Sequence, residues 1–355
     1  MLPYLSVIVS VRNERKMLPR LIDQLLEQNY PVELYEILVV DGRSTDGTPD
    51  LIRRRYSNRR VRVRVLDNPK RTVAAGRNAG IRAASGDAMI FLSGHCAIPS
   101  KNLLADTAEI LETTGAGCLC RPQPLLAPPE TRMGQAIAYA RSTRIGRSSA
   151  PPDLAGFLDP PGFAGAFRRS VFEDIGLFDE TFDACTGLDF NERVRQAGIH
   201  AYCDPRLAIH ELPPQKLHSL FAEMFRHGRG ASHWMRKHPD RSSLAEIAPL
   251  TVLFATVLSI LAWARLPPTL AAIVTAPLAI IPVAVLLTSM QIATSHGFRA
   301  AWRAPAVFAT IYLGQGLGLL FEYAIPSEDP RPKKTAPVFT FAEIAEKRRK
   351  SDRAA

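Results

Sequence analysis

The stretch Ile37-Leu-Val-Val-Asp41-Gly-Arg-Ser44-Thr45-Asp46-Gly47-Thr48 puts an acid at the mouth of an apolar run, then a Gly-containing turn, then residues able to cap a helix. There Asp41 can accept hydrogen bonds from a base or a ribose, whereas Asp46 and Thr48 are explained equally well as turn and N-cap residues. Three more groups follow apolar runs in the same way: Arg12 to Glu14, Asp67 to Arg71, and Ser93 to Cys96. A later stretch, Phe182-Asp183-Ala-Cys185-Thr186-Gly187-Leu188-Asp189-Phe190-Asn191-Glu192-Arg193, supplies three acids, Asp183, Asp189 and Glu192. A carboxylate within reach of a hydroxyl can take its proton.

The elements that must position these groups alternate in type. Leu5 to Val11 reads as a buried strand, and Leu18, Leu21, Ile22, Leu25 and Leu26 recur at helical spacing after it. Strands at Ile37 to Val40, Val61 to Leu66 and Ala88 to Leu92 alternate with helices at Asp50 to Tyr56 and Ala74 to Ala84. Such βα alternation predicts an α/β domain with a mostly parallel, Rossmann-like sheet, in which ligands bind beyond the carboxyl ends of the strands. The candidate groups all fall at those ends. From Cys120 to Gly162 the chain is rich in Pro, Ser and Arg, with one helix around Met133 to Arg144, and reads as a substrate-covering region. A strand at Phe163 to Phe167, helices at Arg169 to Ile175 and Asp189 to Gln196, and a closing strand at Ile199 to Cys203 complete the domain.

Charge divides the rest. Asp, Glu, Lys and Arg are dense up to Arg241 and after Glu328, but absent from Ile247 to Ala264, Leu270 to Ala293 and Ala304 to Phe321. The first two segments suffice for bilayer spans, and the third does if Glu322 snorkels or faces protein; buried core helices are the alternative. Before them, Leu217, Leu220, Phe221, Met224 and Phe225 form an apolar stripe followed by Arg226, Arg229, Arg236 and Lys237. That pattern suits a helix at the bilayer interface, or one packed on the domain itself. The expected divisions are 1–212 for the catalytic domain, 213–243 for an interfacial segment, 244–325 for a membrane region of about three helices, and 326–355 for a basic tail.

Leu5 to Val11 is too short for a signal peptide and runs directly into Arg12, Asn13 and Glu14, so the N-terminal domain is expected in the cytosol. Three spans would then put the tail outside, yet Lys333, Lys334, Lys347, Arg348, Arg349 and Lys350 favour a cytosolic tail. Either one segment is re-entrant or interfacial, or the charge bias is overruled. Gly314 and Gly318 form a small-xxx-small pair that lets another helix approach closely, and an oligomer or a partner through the membrane helices is an expectation. Five cysteines without paired CxxC spacing argue for a reducing compartment and against structural zinc. The net charge of +10 does not point to nucleic acid, because the arginines between Arg53 and Arg64 lack interleaved aromatics apart from Tyr56. Anionic lipid and nucleotide diphosphate are the expected partners.

Taken together, Asn13-Glu14, Asp41, Ser44 to Thr48, Ala75-Gly-Arg77-Asn78-Ala-Gly80, Ala84-Ser-Gly86-Asp87, Gly165-Ala-Phe167-Arg168-Arg169 and Phe178-Asp179-Glu180 resemble the motifs of family 2 glycosyltransferases with the GT-A fold. The resemblance covers about residues 5 to 205 and is nearest to membrane-anchored, succinoglycan-type exopolysaccharide enzymes, which carry Asp-Gly after the second strand. It implies inverting transfer of a sugar, from a nucleotide-diphosphate donor such as a UDP-hexose, to a lipid-linked or glycan acceptor. The setting it implies is the cytosolic face of the inner membrane, in surface-polysaccharide or glycolipid synthesis. It implies Asn13, Glu14, Asp41, Arg43, Arg71, Arg77, Asn78, Ser93 and His95 as donor-binding residues, and Arg226, Arg229 and Trp234 as diphosphate or interface groups.

Two departures stand at the family's metal ligand and base. Ser93-Gly94-His95 replaces the usual Asp-x-Asp, leaving His95 as ligand to a divalent Mn or Mg ion, as diphosphate contact, or as a structural or acceptor-facing group. Thr186-Gly187 replaces the usual Glu-Asp, leaving Asp189 as candidate catalytic base, with Asp183 and Glu192 in reserve and helix capping as its alternative role. A polyprenyl-phosphate acceptor, already an anion, would need no base. A rival of another class is a catalytically silent homologue that binds a nucleotide or a partner enzyme.

Overall fold

Leu5–Val11 (β1) is buried on both faces, as a central strand between two helical layers must be. In the computed structural model, which describes residues 2–146, 153–159, 164–241 and 244–326, it is followed by Leu18–Leu26 (α1), Tyr35–Asp41 (β2), Thr48–Tyr56 (α2), Arg62–Asp67 (β3), Val73–Ala83 (α3) and Ala88–Ser93 (β4). Cys96–Ala97 (β5), Leu103–Thr114 (α4), Cys118–Cys120 (β6) and Arg132–Arg141 (α5) come next. Then follow Gly156–Leu158 (β7), Ala164–Arg168 (β8), Arg169–Ile175 (α6), Thr186–Gln196 (α7), Ala201–Cys203 (β9) and His210–Glu211 (β10).

The sheet has the order β3-β2-β1-β4-β8-β6-β9-β7, parallel from β3 to β4, with β8 antiparallel to both neighbours. Its register aligns the strand ends that matter. Val11 pairs with Asp41, Asp41 with Asp67, and Ser10 with Ser93, so the four sequence groups emerge at one edge. Leu5, Val7, Val9, Ile37 and Val39 pack against α1, α2 and α4 on one face, while Ile8, Leu38, Val40, Met89 and Phe91 pack against α3, α6 and α7 on the other. The helix α4 and the strands β5, β6, β7 and β10 were not anticipated from periodicity; at two or three residues such strands are too short to show any.

The chain forms two units. Residues 1–124 and 149–211 belong to the α/β unit, and 125–148 and 212–330 to a helical one. The helical unit comprises α5, Leu217–Lys237 (α8), Leu244–Arg265 (α9), Pro268–Thr275 (α10), Ile280–His296 (α11), Phe298–Ala301 (α12) and Ala304–Ala324 (α13). Helix α5, expected in a substrate-covering region, belongs here because Ile137 and Ala140 pack with Leu220, Met224, Phe308 and Ile311. Three helical stretches, Glu246–Arg265, Pro268–His296 and Phe298–Ala324, are long and apolar enough to cross a membrane. The second is broken by a 3-10 turn at Ala276–Ala279, where Pro277 and Pro282 remove backbone donors. The basic tail lies outside the described residues.

Candidate functional site

Four non-glycine residues have left-handed backbone among those described: Asn13 (φ 58°), Arg43 (57°), Arg71 (62°) and Cys185 (61°). The first three follow β1, β2 and β3, and the fourth precedes α7. A side chain in this region costs of order 1 kcal/mol or more, and such strain concentrates where geometry serves a ligand. The first three strained positions thus mark the sheet edge already singled out by register.

Hydrogen bonds lock the loops there. The Asn13 amide N–H donates to Ser44 Oγ at 2.7 Å, and Asn13 Oδ1 accepts from the Thr45 N–H at 2.8 Å. The Glu14 N–H donates to Thr48 Oγ1 (3.1 Å), and the Arg15 N–H to Asp46 Oδ2 (3.0 Å). Asp46 also accepts from the Thr48 N–H and hydroxyl at 3.0 and 2.5 Å, which decides its role: it is the clasp of the loop. Burial would raise its pKa, but these bonds from Thr48 and Arg15 outweigh that and lower it. Asp41 is buried and accepts from the Ser44 N–H (3.0 Å) and hydroxyl (2.6 Å). Arg43 reaches Asp67 at 3.7 Å, both exposed, and Arg71 is exposed at the same edge.

Ser93 ends β4, and two residues on His95 sits between two carboxylates. Its Nδ1 is 3.0 Å from Glu14 Oε1 and its Nε2 is 3.5 Å from Glu211 Oε1. Glu211 arrives through the antiparallel pairing of β10 with β5, which sets it opposite Cys96. Burial alone would lower the imidazole pKa, but hydrogen bonds with Glu14 and Glu211 carry it well above its ordinary 6.5. Both ring nitrogens of His95 thus face carboxylates, Glu14 on one side and Glu211 on the other. No cluster of three or more His, Cys, Asp or Glu able to hold a metal occurs among the described residues. When protonated, an imidazole held in this way adds a positive charge that can meet an anion.

Two arginines add to that positive charge. Arg77 on α3 donates to Thr186 Oγ1 (3.3 Å) and lies over the rings of Phe91 (5.7 Å) and Phe178 (5.1 Å). Burial, then the Arg121 charge, lowers its pKa to about 10. Arg121, immediately after β6, is buried, donates to the Phe91 carbonyl, and has an Nε with no hydrogen-bond partner. Burial lowers it to about 10 against the opposing effects of Cys96, Cys120 and Glu211. Both remain cations at neutral pH. Its guanidinium lies over Gly165, where a Cβ would come within 2.5 Å, so the Gly of the Gly-Ala-Phe-Arg-Arg motif makes room for it. Neither Arg121 nor Glu211 was anticipated. Arg121 follows a strand end like the other groups and was hidden only by the shortness of β6, whereas nothing local in the sequence pointed to Glu211.

Several expected residues are used otherwise. Asn78 is buried, and its amide accepts from the Phe178 N–H (2.9 Å) and donates to the Phe178 carbonyl (2.9 Å) and Glu180 (2.8 Å), which clamps α3 to the segment before α7. Arg169 likewise binds the carbonyls of Ala84 and Gly86, tying two sequence motifs together. Asp189 is 1% exposed in the first turn of α7 and pairs with Arg193 Nε at 3.2 Å. Glu192 is paired with Arg195, and Asp183 is exposed. In the helical unit Arg229 is held by Glu322 at 3.0 Å, Trp234 is buried and Arg226 is exposed.

With this geometry in hand, residues 6–176 match the model of glycosyl transferase family 2. This α/β unit is a family 2 glycosyltransferase domain. The chain is 26% identical over 269 residues to the succinoglycan biosynthesis protein ExoA of Rhizobium meliloti, spanning 74% of this chain and 80% of that one. It is 33% identical over 266 residues to the validoxylamine A glucosyltransferase of Streptomyces hygroscopicus, spanning 67% and 62%. Among solved structures it resembles a mannosyltransferase of Pyrobaculum calidifontis, in complex with GDP-Man and Mn2+. The TM-score is 0.54 at 21% identity over 89% of this chain and 87% of that one, which establishes the GT-A-like fold.

Proposed function

We propose that this glycosyltransferase moves a hexosyl group, with inversion, from a nucleotide-diphosphate sugar to a membrane-bound acceptor in surface-polysaccharide or glycolipid synthesis. The observation that carries the reading is the convergence at one sheet edge of strained loops, buried Asp41 and three cations, His95, Arg77 and Arg121. Asp41, Asn13 and Arg43 would hold the nucleoside, and the cations would meet the charge that grows on the departing diphosphate. Succinoglycan synthesis by the Rhizobium relative and the glucosyl transfer named for the Streptomyces relative favour a UDP-hexose and a lipid-linked or glycan acceptor. A Mn or Mg ion, as the family resemblance implies, would share the diphosphate with these cations; among the described residues no cluster of three or more His, Cys, Asp or Glu would hold it without the donor. The three apolar helices and the likeness to ExoA support a multi-pass inner-membrane protein with its catalytic domain in the cytosol.

A second acceptor class is favoured by Asp189. A base must reach a hydroxyl, yet this carboxylate is buried against Arg193, while Arg77 at Thr186 brings positive charge to the start of the same helix. A polyprenyl phosphate would bring its own nucleophile to that charge. Membranes containing the protein, given radiolabelled nucleotide sugars, separate the outcomes. Label in polymer or lipid-diphosphate sugar supports the first acceptor class, label on polyprenyl phosphate alone the second, and no transfer from any donor rejects both.

A further inference from the structure

Helices α8 and α13 run side by side in the same direction. Gly314 lies against Phe221 and Met224, Gly318 against Phe225 and Arg229, and Glu322 takes Arg229 Nε at 3.0 Å and Arg236 Nη2 at 2.7 Å. A Cβ on Gly228 would stand 2.1 Å from the Gln315 carbonyl oxygen, and one on Gly318 2.1 Å from that of Phe225, so the helices touch backbone to backbone. The small-xxx-small pair is therefore filled by this chain's own α8. Because α8 carries Glu223, Arg226, Arg229, Arg236 and Lys237, its passage through hydrocarbon would be strongly disfavoured. A helix fastened along α8 does not cross without it.

The ends of α13 give the same answer. It begins just beyond α12, which starts two residues after the last residue of α11, His296, and near its end Glu322 is held by residues of α8 that precede α9. Gly316 lies against Pro249 and Leu253, in the first turns of α9. A third crossing would instead bring the end of α13 level with the far end of α9, where Trp263 meets Thr275 of α10 at 3.3 Å. Burial agrees: the Phe298–Ala324 stretch is 44% buried within the protein, against 6% for each of the other two. So do charges. Arg236, Lys237, Arg241, Arg299, Arg303, Lys333 and Lys334 flank the start of α9, the end of α11 and both ends of α13, whereas the α9–α10 turn has Arg265 alone.

We infer that the chain crosses the bilayer twice, through α9 and through the broken α10–α11 helix. The α8–α13 pair lies against the headgroup face at which α9 enters, so the polypeptide leaves α13 on the side where it began. This rests on the membrane reading above. The test uses the full chain with different epitope tags at its two ends, in sealed vesicles of both orientations, together with the Leu266→Cys variant probed by a membrane-impermeant maleimide. Both tags are expected to be digested in one orientation and protected in the other, with labelling of Leu266→Cys showing the reverse pattern beyond that of the unsubstituted protein. Tags digested from opposite faces would mean three crossings and overturn the inference, as would labelling from the face of the N-terminal tag. Release of the protein by alkaline carbonate would instead defeat the membrane reading itself.

Discussion

His95 and Glu14, 81 residues apart, are joined at 3.0 Å where the ends of β1 and β4 meet, and Glu211 closes on the other ring nitrogen. This makes the centre of that sheet edge an ion cluster. Because the folded-state pKa of His95 is raised, its stabilising contribution is complete below the ordinary value near 6.5 and is lost as pH rises through the raised value. Thermal unfolding of wild type and His95→Gln is expected to differ most at about pH 6 and to converge in alkaline buffer. A gap independent of pH would mean that the imidazole is not charged.

Arg121 is expected to bind the diphosphate. With its Nε unpaired and buried, Arg121→Lys loses the planar fork while keeping the charge. Calorimetry is expected to show roughly tenfold or greater weakening for UDP and no change for uridine. Equal losses for UDP and uridine would reduce Arg121 to a packing residue.

Asp41→Ala is expected to weaken donor binding by about 1.5–3 kcal/mol, the worth of a hydrogen bond to a charged group. Since Ser44 uses both carboxylate oxygens, Ser44→Ala is the companion variant, freeing the loop while keeping the acid. Unchanged affinity in Asp41→Ala would remove this residue from the site.

Asp189→Asn breaks a buried pair with Arg193 and is expected to lower Tm, since such losses run to about 3–5 kcal/mol. If Asp189 also serves as base, turnover of the folded fraction with hydroxyl acceptors falls by about 10²- to 10⁴-fold while donor affinity holds. Retained turnover with a phosphate acceptor in the same variant would identify an acceptor that supplies its own anion.

Gly318→Val is expected to part α8 from α13, because even a Cβ there meets the Phe225 carbonyl oxygen at 2.1 Å. Overpacking of this kind costs about 1–3 kcal/mol or more, read as a fall in Tm of the detergent-solubilised protein. A variant as stable as wild type would show that the helices are not in backbone contact.

The local pattern by itself determined the first half of the α/β unit. Apolar runs and helical spacing located β1, β2, β3 and β4 to within a residue or two, and a parallel register then brings Asp41, Asp67 and Ser93 to one edge. The apolar helices were equally legible, because exclusion of charge over some 20 residues leaves little else to be. What periodicity could not carry is which distant residues meet. Glu211 joins His95 only because the two-residue β10 pairs with β5, and Asn78 is consumed by Phe178 across 100 residues. The same holds for the membrane region: composition gives three apolar segments, the third qualified by Glu322, and the packing of Gly228, Gly314, Gly318 and Glu322 shows that this one is bound to a charged helix while the other two are bare. Hydrophobic period is a property of neighbours in sequence, whereas close approach and charge pairing are properties of the topology that folds them together.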